Sequence, residues 1–312
     1  MAGELTRYTY WITPYRKPFL IYNPAAGKIR RNPERILQRT IAALRRASVE
    51  EVLLLPSSEP GHGTELARHA IERGADLILV LGGDGTINEV ANGMIGSEVA
   101  LGILPGGTAN VLCMELGLGS DLDRAVERLS KAKPRRISVG RMTSEGATDR
   151  HFILMCGAGL DARIVNDVNP DLKRRAGKLA YWTAGFAQFT RLVAPLEVRI
   201  NGETHRCGFL LASRVRNYGG DMEIASGASL LKHDFEVVWF EGSNPLRYAW
   251  YMLGVASRRV LKMRGVRSAR ATRVEFAGSA HTQIDGEYIG VAPVSFEIVP
   301  DALTLLIPEL YG

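Results

Sequence analysis

Between Pro18 and about Ser130, short apolar runs alternate with stretches whose apolar residues recur every three or four positions. Residues 19–23 (FLIYN), 51–55 (EVLLL), 76–81 (DLILVL) and 100–104 (ALGIL) have the length and content of strands. Residues 34–46, with Ile36, Leu37, Ile41 and Leu44 on one face, and residues 64–73 have helical period. The nearly unbroken apolar run at 76–81 marks a strand covered on both sides, as in a parallel sheet. Strands separated by helices predict a layered α/β domain with right-handed crossovers.

Beyond Lys133-Pro134 the texture becomes strand-rich. Strands are predicted at 136–142, 151–156, 195–200, 206–212, 235–240, 273–276, 294–299 and 303–307. In 195–200, Leu196, Val198 and Ile200 alternate with Glu197 and Arg199, and Asn201-Gly202 then predicts a tight hairpin turn. Two helical stretches interrupt this pattern, at 177–192 and 246–263. The pattern predicts a layered α/β domain over 1–134 and a mainly antiparallel, β-rich second domain over 135–299, with a cleft between them.

Composition narrows the partners. The chain has 312 residues, 46% hydrophobic and 23% charged, which suits about two soluble domains of ~150 residues each. No run approaches the ~18 apolar residues a membrane helix needs, and the first residues lack an apolar signal core. Cys113, Cys156 and Cys207 are too scattered for a disulfide framework or zinc knuckle, so a reducing, cytoplasmic setting is expected. With 39 Lys+Arg against 33 Asp+Glu, the net charge of +6 favours phosphate-bearing partners: nucleotide, nucleic acid or an anionic membrane face.

The sharpest feature is LGGDGTINEVANG, residues 81–93, at the end of a buried strand. Gly82, Gly83 and Gly85 permit unusual backbone geometry and close approach of phosphate oxygens to main-chain N–H groups. Thr86 and Asn88 then open a helix whose positive end favours an anion. Asp84 would be repelled by phosphate unless Mg²⁺ sat between them. The competing reading is a tight strand-to-helix turn. A second loop, PGGTAN, follows the next strand, where Gly107 forms part of a turn and Thr108 and Asn110 either cap a helix or meet nucleotide. Two such loops on neighbouring strands favour a shared cleft. The chain has no GxxxxGK[ST]. Near its end, Asp285 and Glu287 are two apart on a segment read as extended, which would point both the same way, with Gly286 leaving room between them. The alternative there is an exposed acidic hairpin turn, because Asp-Gly is a common turn pair.

Together these segments resemble the diacylglycerol kinase catalytic domain family, specifically the bacterial soluble lipid kinases related to sphingosine kinases. The likeness runs through YNPAAGK (22–28), SSEPGHGTELA (57–67), GGDGTINEV, PGGTANVL, GAGLDA (157–162), GKLAYW (177–182), NYGGDMEIA (217–225) and IDGE (284–287). It implies an ATP- and Mg²⁺-dependent transfer of the γ-phosphoryl group to a lipid hydroxyl, with a diacylglycerol-like acceptor. Asn23, Ser57, Gly82, Gly83, Asp84, Gly85, Thr86, Ile87, Asn88, Gly107 and Thr108 would hold the nucleotide, and Asp84 and Asp285 the metal. Asp84, Asp285 and Glu287 form the expected catalytic set, with Glu287 favoured over Asp285 as proton acceptor. Residues 300–312 would return to complete the nucleotide domain. A lipid substrate, an anionic membrane surface touched peripherally and a second copy of the chain are the expected partners, and nucleic acid is not.

One departure stands out. Where the family places a structural Mg²⁺ loop reading roughly A-x-L-x-D-G-x-L-D, this chain has ASLLKHDFE, residues 228–236, with Lys232 in the aspartate's place. A protonated lysine cannot ligate Mg²⁺, so the second metal is expected to be absent unless Asp234 rescues it. GAGLDA fits a dinucleotide pattern but lacks a βαβ setting. The basic residues Arg258, Arg259, Lys262, Arg264, Arg267, Arg270 and Arg273 follow an aromatic stretch from which Trp250, Tyr251 and Leu253 would reach a lipid interface; a packed helix with a solvated basic face is the alternative. Two other functions compete. An NAD kinase-like enzyme is one, disfavoured by GKLAYW and PGGTAN, and a nucleotide-binding regulator without turnover is the other.

Overall fold

Leu77–Gly82 (β3) is buried along its whole length, because neighbours flank it in the sheet and helices cover both faces. In the computed structural model, which describes residues 15–144, 149–160, 162, 195–219, 222–242 and 244–312, β3 lies between Pro18–Tyr22 (β1) and Ala100–Pro105 (β4), parallel to both. Leu53–Pro56 (β2) extends the sheet beyond β1. Helices Pro33–Arg46 (α1), His62–Glu72 (α2) and Asp84–Met94 (α3) form the crossovers, and the short Val111–Glu115 (α4) and Leu122–Ser130 (α5) follow β4. The α2 start has no side-chain cap; Glu89 of α3 supplies one, its carboxylate accepting the Gly63 N–H at 3.1 Å.

The β-rich part begins with Lys133–Ser144 (β5), Arg150–Phe152 (β6) and Met155–Gly159 (β7). It continues through Leu196–Ile200 (β8), Glu203–Cys207 (β9), Phe209–Ser213 (β10), Asn217–Gly219 (β11), Met222–Glu223 (β12) and Phe235–Phe240 (β13). Pro245–Ala256 (α6) follows, with a 3₁₀ turn at Val260–Lys262, and then Val266–Ala271 (β14), Arg273–Ile284 (β15) and Glu287–Ile307 (β16). Asn201 and Gly202 both have positive φ, the tight hairpin turn their sequence predicts. A core of Phe152, Phe235, Phe276 and Phe296 fills this part. The Phe152 ring lies over Gly140, where a Cβ would meet it at 2.2 Å.

The segments expected as separate strands at 294–299 and 303–307 are one strand. β16 runs 21 residues and absorbs Pro300-Asp301 as a bulge, with Asp301 at φ 46. It pairs antiparallel with β15 and β5 and, at Leu305↔Leu101, parallel with β4. Among the described residues one fourteen-stranded sheet therefore passes through both parts, and β5 and β16 cross positions 134/135 and 299/300 unbroken. The single strand expected at 151–156 is two, β6 and β7, with a bend at Ile153-Leu154. The helix expected at 177–192 lies outside the described residues.

Candidate active site

Three loops meet at the carboxyl ends of β1, β3 and β4. Asn23 donates its side-chain N–H to Thr86 Oγ1 at 3.2 Å and its Oδ1 accepts from Ala25 N–H. Lys28 N–H bonds Gly106 O, and Gly106 N–H bonds Gly82 O. None of Gly82, Gly83 and Gly85 has positive φ, so unusual backbone geometry is not what these glycines supply. Contact is what requires Gly82, where a Cβ would lie 2.8 Å from Thr86 Cβ; across the loops the demand falls on Gly107 and Gly106, where a Cβ would lie 2.5 Å from Gly83 Cα and 3.0 Å from Gly82 Cα. Gly27 closes on the third side, where a Cβ would stand 2.6 Å from Thr108 Oγ1. Beside Gly85, in contrast, the space is open.

Gly83 gives α3 no side-chain cap, and the helix starts beside the exposed Gly85 and Thr108. Ile87 does not belong to this cradle, since its N–H bonds Gly83 O and its side chain is buried. Asp84 reaches across to the second loop, Oδ1 accepting the Leu112 N–H at 3.2 Å. Thr108 caps nothing: Asn110 occupies the position before α4 and turns its own amide back on Gly107 at both N–H and C=O. Ser57 is buried at the end of β2, its hydroxyl aimed at Glu59 O.

Asn88 faces away from the cradle. Its Nδ2 donates to Asp285 Oδ2 at 2.7 Å and to His151 O at 3.1 Å, and Asn92, one turn on, also donates to His151 O. Asp285 and Gly286 are not extended; both have positive φ and form the two-residue turn between β15 and β16. Asp285 is nevertheless no exposed turn residue. Its Oδ1 accepts from Leu154 and Met155 N–H and its Oδ2 from Ile153 N–H as well as Asn88, using the bend between β6 and β7. Burial pushes this carboxyl up to about 6, against the pull of the donors around it. Glu287 points elsewhere: it is 65% exposed and pairs with Arg150 at 2.8 Å. The two acids therefore do not face the same way, and both Asp285 oxygens already carry two N–H donors each.

The model of the diacylglycerol kinase catalytic domain matches residues 17–142, and that of a YegS C-terminal NAD kinase beta sandwich-like domain matches 155–307. The chain thus joins a diacylglycerol kinase catalytic domain to a YegS-type C-terminal domain. It is 28% identical over 288 residues to a diacylglycerol kinase of Bacillus subtilis (strain 168), covering 89% of this chain and 91% of that one. It is 27% identical over 299 residues to a diacylglycerol kinase of Staphylococcus epidermidis, covering 93% and 92%. A crystal structure of a diacylglycerol kinase from Bacillus anthracis str. Sterne superposes with TM-score 0.75 over 96% of this chain and all of that one; at 20% identity this shows the fold.

Several members of the site carry no motif of their own. Asn92 was signalled only by its i, i+4 spacing from Asn88, which places both amides on one face of α3. Arg150 carried no signal, and the three main-chain donors at 153–155 are invisible to residue identity. GKLAYW lies outside the described residues, as do Asp161 of GAGLDA and residues 220–221; Gly157 and Gly159 sit on β7, an antiparallel strand, so no dinucleotide fold forms there. The 228–236 loop does not fit a metal. The Asp234 carboxylate is taken by Arg270, and Lys232 Nζ rests on Gly227 O at 3.1 Å. On α6, Tyr251 is buried, its hydroxyl bonded to Arg264 O, while Leu246 (79% exposed), Trp250 (61%) and Leu253 (59%) line the open face. Arg267, Arg270 and Arg273 are paired with acids. Arg258, Arg259, Lys262 and Arg264 have no ion-pair partner among the described residues.

Proposed function

We propose that this lipid kinase transfers the γ-phosphoryl group of ATP to the hydroxyl of a diacylglycerol-like lipid, with Glu287 as the proton acceptor and Asp285 as the residue that positions it. The observation that carries the reading is the 2.7 Å bond from Asn88 to Asp285, which ties the acidic turn to the helix whose start faces the phosphate cradle. The acceptor oxygen forms a bond to the γ-phosphorus, the bond to the β-phosphate bridging oxygen breaks, ADP leaves, and the hydroxyl proton passes to the Glu287 carboxylate. The N–H groups of Asp84, Gly85 and Thr86 hold phosphate oxygens, and the packed glycine loops fix where that phosphate lies.

Among the described residues, no three His, Cys, Asp or Glu side chains cluster as a resident metal site would require. One carboxylate beside a phosphate cradle suits Mg²⁺ that arrives with the nucleotide, because this ion keeps several waters and takes one or two carboxylates plus phosphates. Asp84 fits that role, and the ion would neutralise charge on the transferring group. Asp285, saturated with N–H donors, does not.

No helix among the described residues is long and apolar enough to cross a membrane. Access to lipid then falls to α6, whose exposed Leu246, Trp250 and Leu253 would enter the interface while Arg258, Arg259 and Lys262 meet anionic headgroups. No Asp or Glu occurs from Gly242 to Val274, which suits a surface held against negative charge. The test is incubation of the purified chain with labelled ATP, Mg²⁺ and vesicles carrying diacylglycerol, phosphatidylglycerol and a sphingoid base. Labelled diacylglycerol phosphate is expected. ATP binding without any labelled lipid would overturn the reading.

A further inference from the structure

Directly after β10, Arg214 is fully buried, and its guanidinium gathers four main-chain carbonyl oxygens. One terminal nitrogen donates to Lys232 O at 2.5 Å and Asp234 O at 2.7 Å, the other to Leu230 O at 2.8 Å and Ser138 O at 3.1 Å. Converging carbonyl oxygens around one positive charge are the coordination a hard divalent cation takes. Here the protein supplies the charge itself. Burial lowers the Arg214 pKa to about 10, which leaves it a cation at neutral pH.

We infer that Arg214 does the work of a structural divalent cation in this chain, so that the 228–236 loop folds without metal. The surroundings agree on chemistry: Arg270 holds both Asp234 oxygens and reaches Gly227 O, and Lys232 reaches the same carbonyl. An added Mg²⁺ would meet three protein cations and carboxylates already engaged, Asp234 by Arg270 and Glu236 by the Gly227 N–H. The clasp also touches the acidic turn, since Arg214 N–H bonds Leu154 O and Leu154 N–H bonds Asp285. Only this last link to turnover rests on the kinase reading.

The test is the melting midpoint of the full-length chain in excess EDTA and in excess Mg²⁺, without nucleotide. The two midpoints should agree. A resident ion held at a hundred times its Kd would instead cost roughly 5–10 °C on removal, and such a drop would overturn the inference. R214M strands four carbonyls, two of them buried and two half-buried, and should melt lower than wild type by at least as much, or not fold, in both buffers. If R214M melts like wild type the clasp is irrelevant and the inference fails. Phosphoryl transfer measured on the same wild-type samples keeps the two questions apart. EDTA that stops transfer while leaving the melt unchanged supports both readings, whereas a missing transfer in Mg²⁺ with unchanged melts counts against the kinase reading alone.

Discussion

Replacing Asp285 by asparagine keeps the side chain's size and removes its charge, and its cost can be worked from its partners. Four N–H donors converge on the carboxylate, two on each oxygen. An amide offers a single oxygen, so two donors would face an NH₂ group. A hydrogen bond to a charged acceptor contributes ~1.5–3 kcal/mol and a buried donor left unpaired costs ~1–3 kcal/mol, which puts D285N at roughly 3–5 kcal/mol. Against an ordinary stability of ~5–15 kcal/mol that is a large fraction, and at ~2–4 °C per kcal/mol the midpoint should fall by roughly 6–20 °C. E287Q is the counterpart. Glu287 is 65% exposed with a single arginine partner, so its loss should cost ~0–1 kcal/mol, while removing a proton acceptor should lower kcat by ~10²-fold or more. Thermal melts and kcat on both variants decide the division of labour. D285N melting within a degree or two of wild type would sink the idea that this carboxylate holds the turn, and an E287Q variant with full kcat would remove Glu287 from the chemistry.

Three further outcomes are expected. Because burial raises the Asp285 pKa to about 6, above its unfolded value, the stability this group contributes is present in full below the unfolded value and is lost as pH rises through about 6. Turnover should move the other way, since a protonated carboxyl cannot accept from all four donors; kcat should fall on acidification with a midpoint near 6, and a profile flat across that value would contradict the assignment. G107A places a methyl 2.5 Å from Gly83 Cα and forces two backbones apart, so it should cost ~1–3 kcal/mol and raise KM for ATP, and an unchanged KM would mean the loops' contact does not shape the cradle. W250A/L253A should weaken binding to anionic vesicles at least tenfold, as fully burying such side chains is worth ~1.5–3 kcal/mol each, and binding should weaken further with salt; vesicle binding equal to wild type would move the membrane face away from α6.

Sequence and structure agree most where a residue's own chemistry decides its place. β3 announces itself because burial on both faces leaves only apolar residues, and Asn201-Gly202 because positive φ at two successive positions favours that pair. Asp285-Gly286 carries the same turn signal, and spacing alone could not show that its acid is folded inward, because the groups that hold it are main-chain N–H groups some 130 residues away. β16 was hidden by Pro300-Asp301, which reads as a break and is a bulge. Gly82, Gly83 and Gly85 read in the sequence as freeing φ for phosphate, whereas their φ values are ordinary, and it is the absent side chains of Gly106 and Gly107 that let one loop touch the other. Arg214 had no signal at all: a lone arginine after an apolar strand gives no sign of four carbonyls waiting for it.

These contacts close on themselves. Asp84 holds Leu112 at the start of α4; Glu115, the buried last residue of α4, accepts from the Tyr311 hydroxyl and from Arg216; and Tyr311 accepts the Leu230 N–H. Leu230 O meets Arg214, whose own N–H bonds Leu154 O, Leu154 N–H bonds Asp285, and Asn88 returns the path to α3, where Asp84 began it. A ring of this kind should respond as a unit. Y311F deletes only the hydroxyl that joins α4 to the 228–236 loop, on the far side of the ring from Asp285, so Y311F and D285N share no partner. If the ring transmits strain, unfolding titrations of the two single variants and the double variant should give a coupling free energy of ~0.5–3 kcal/mol. If the two effects add within ~0.3–0.5 kcal/mol, as independent sites do, the longer path carries nothing and the acidic turn meets α3 through the short contact at Asn88.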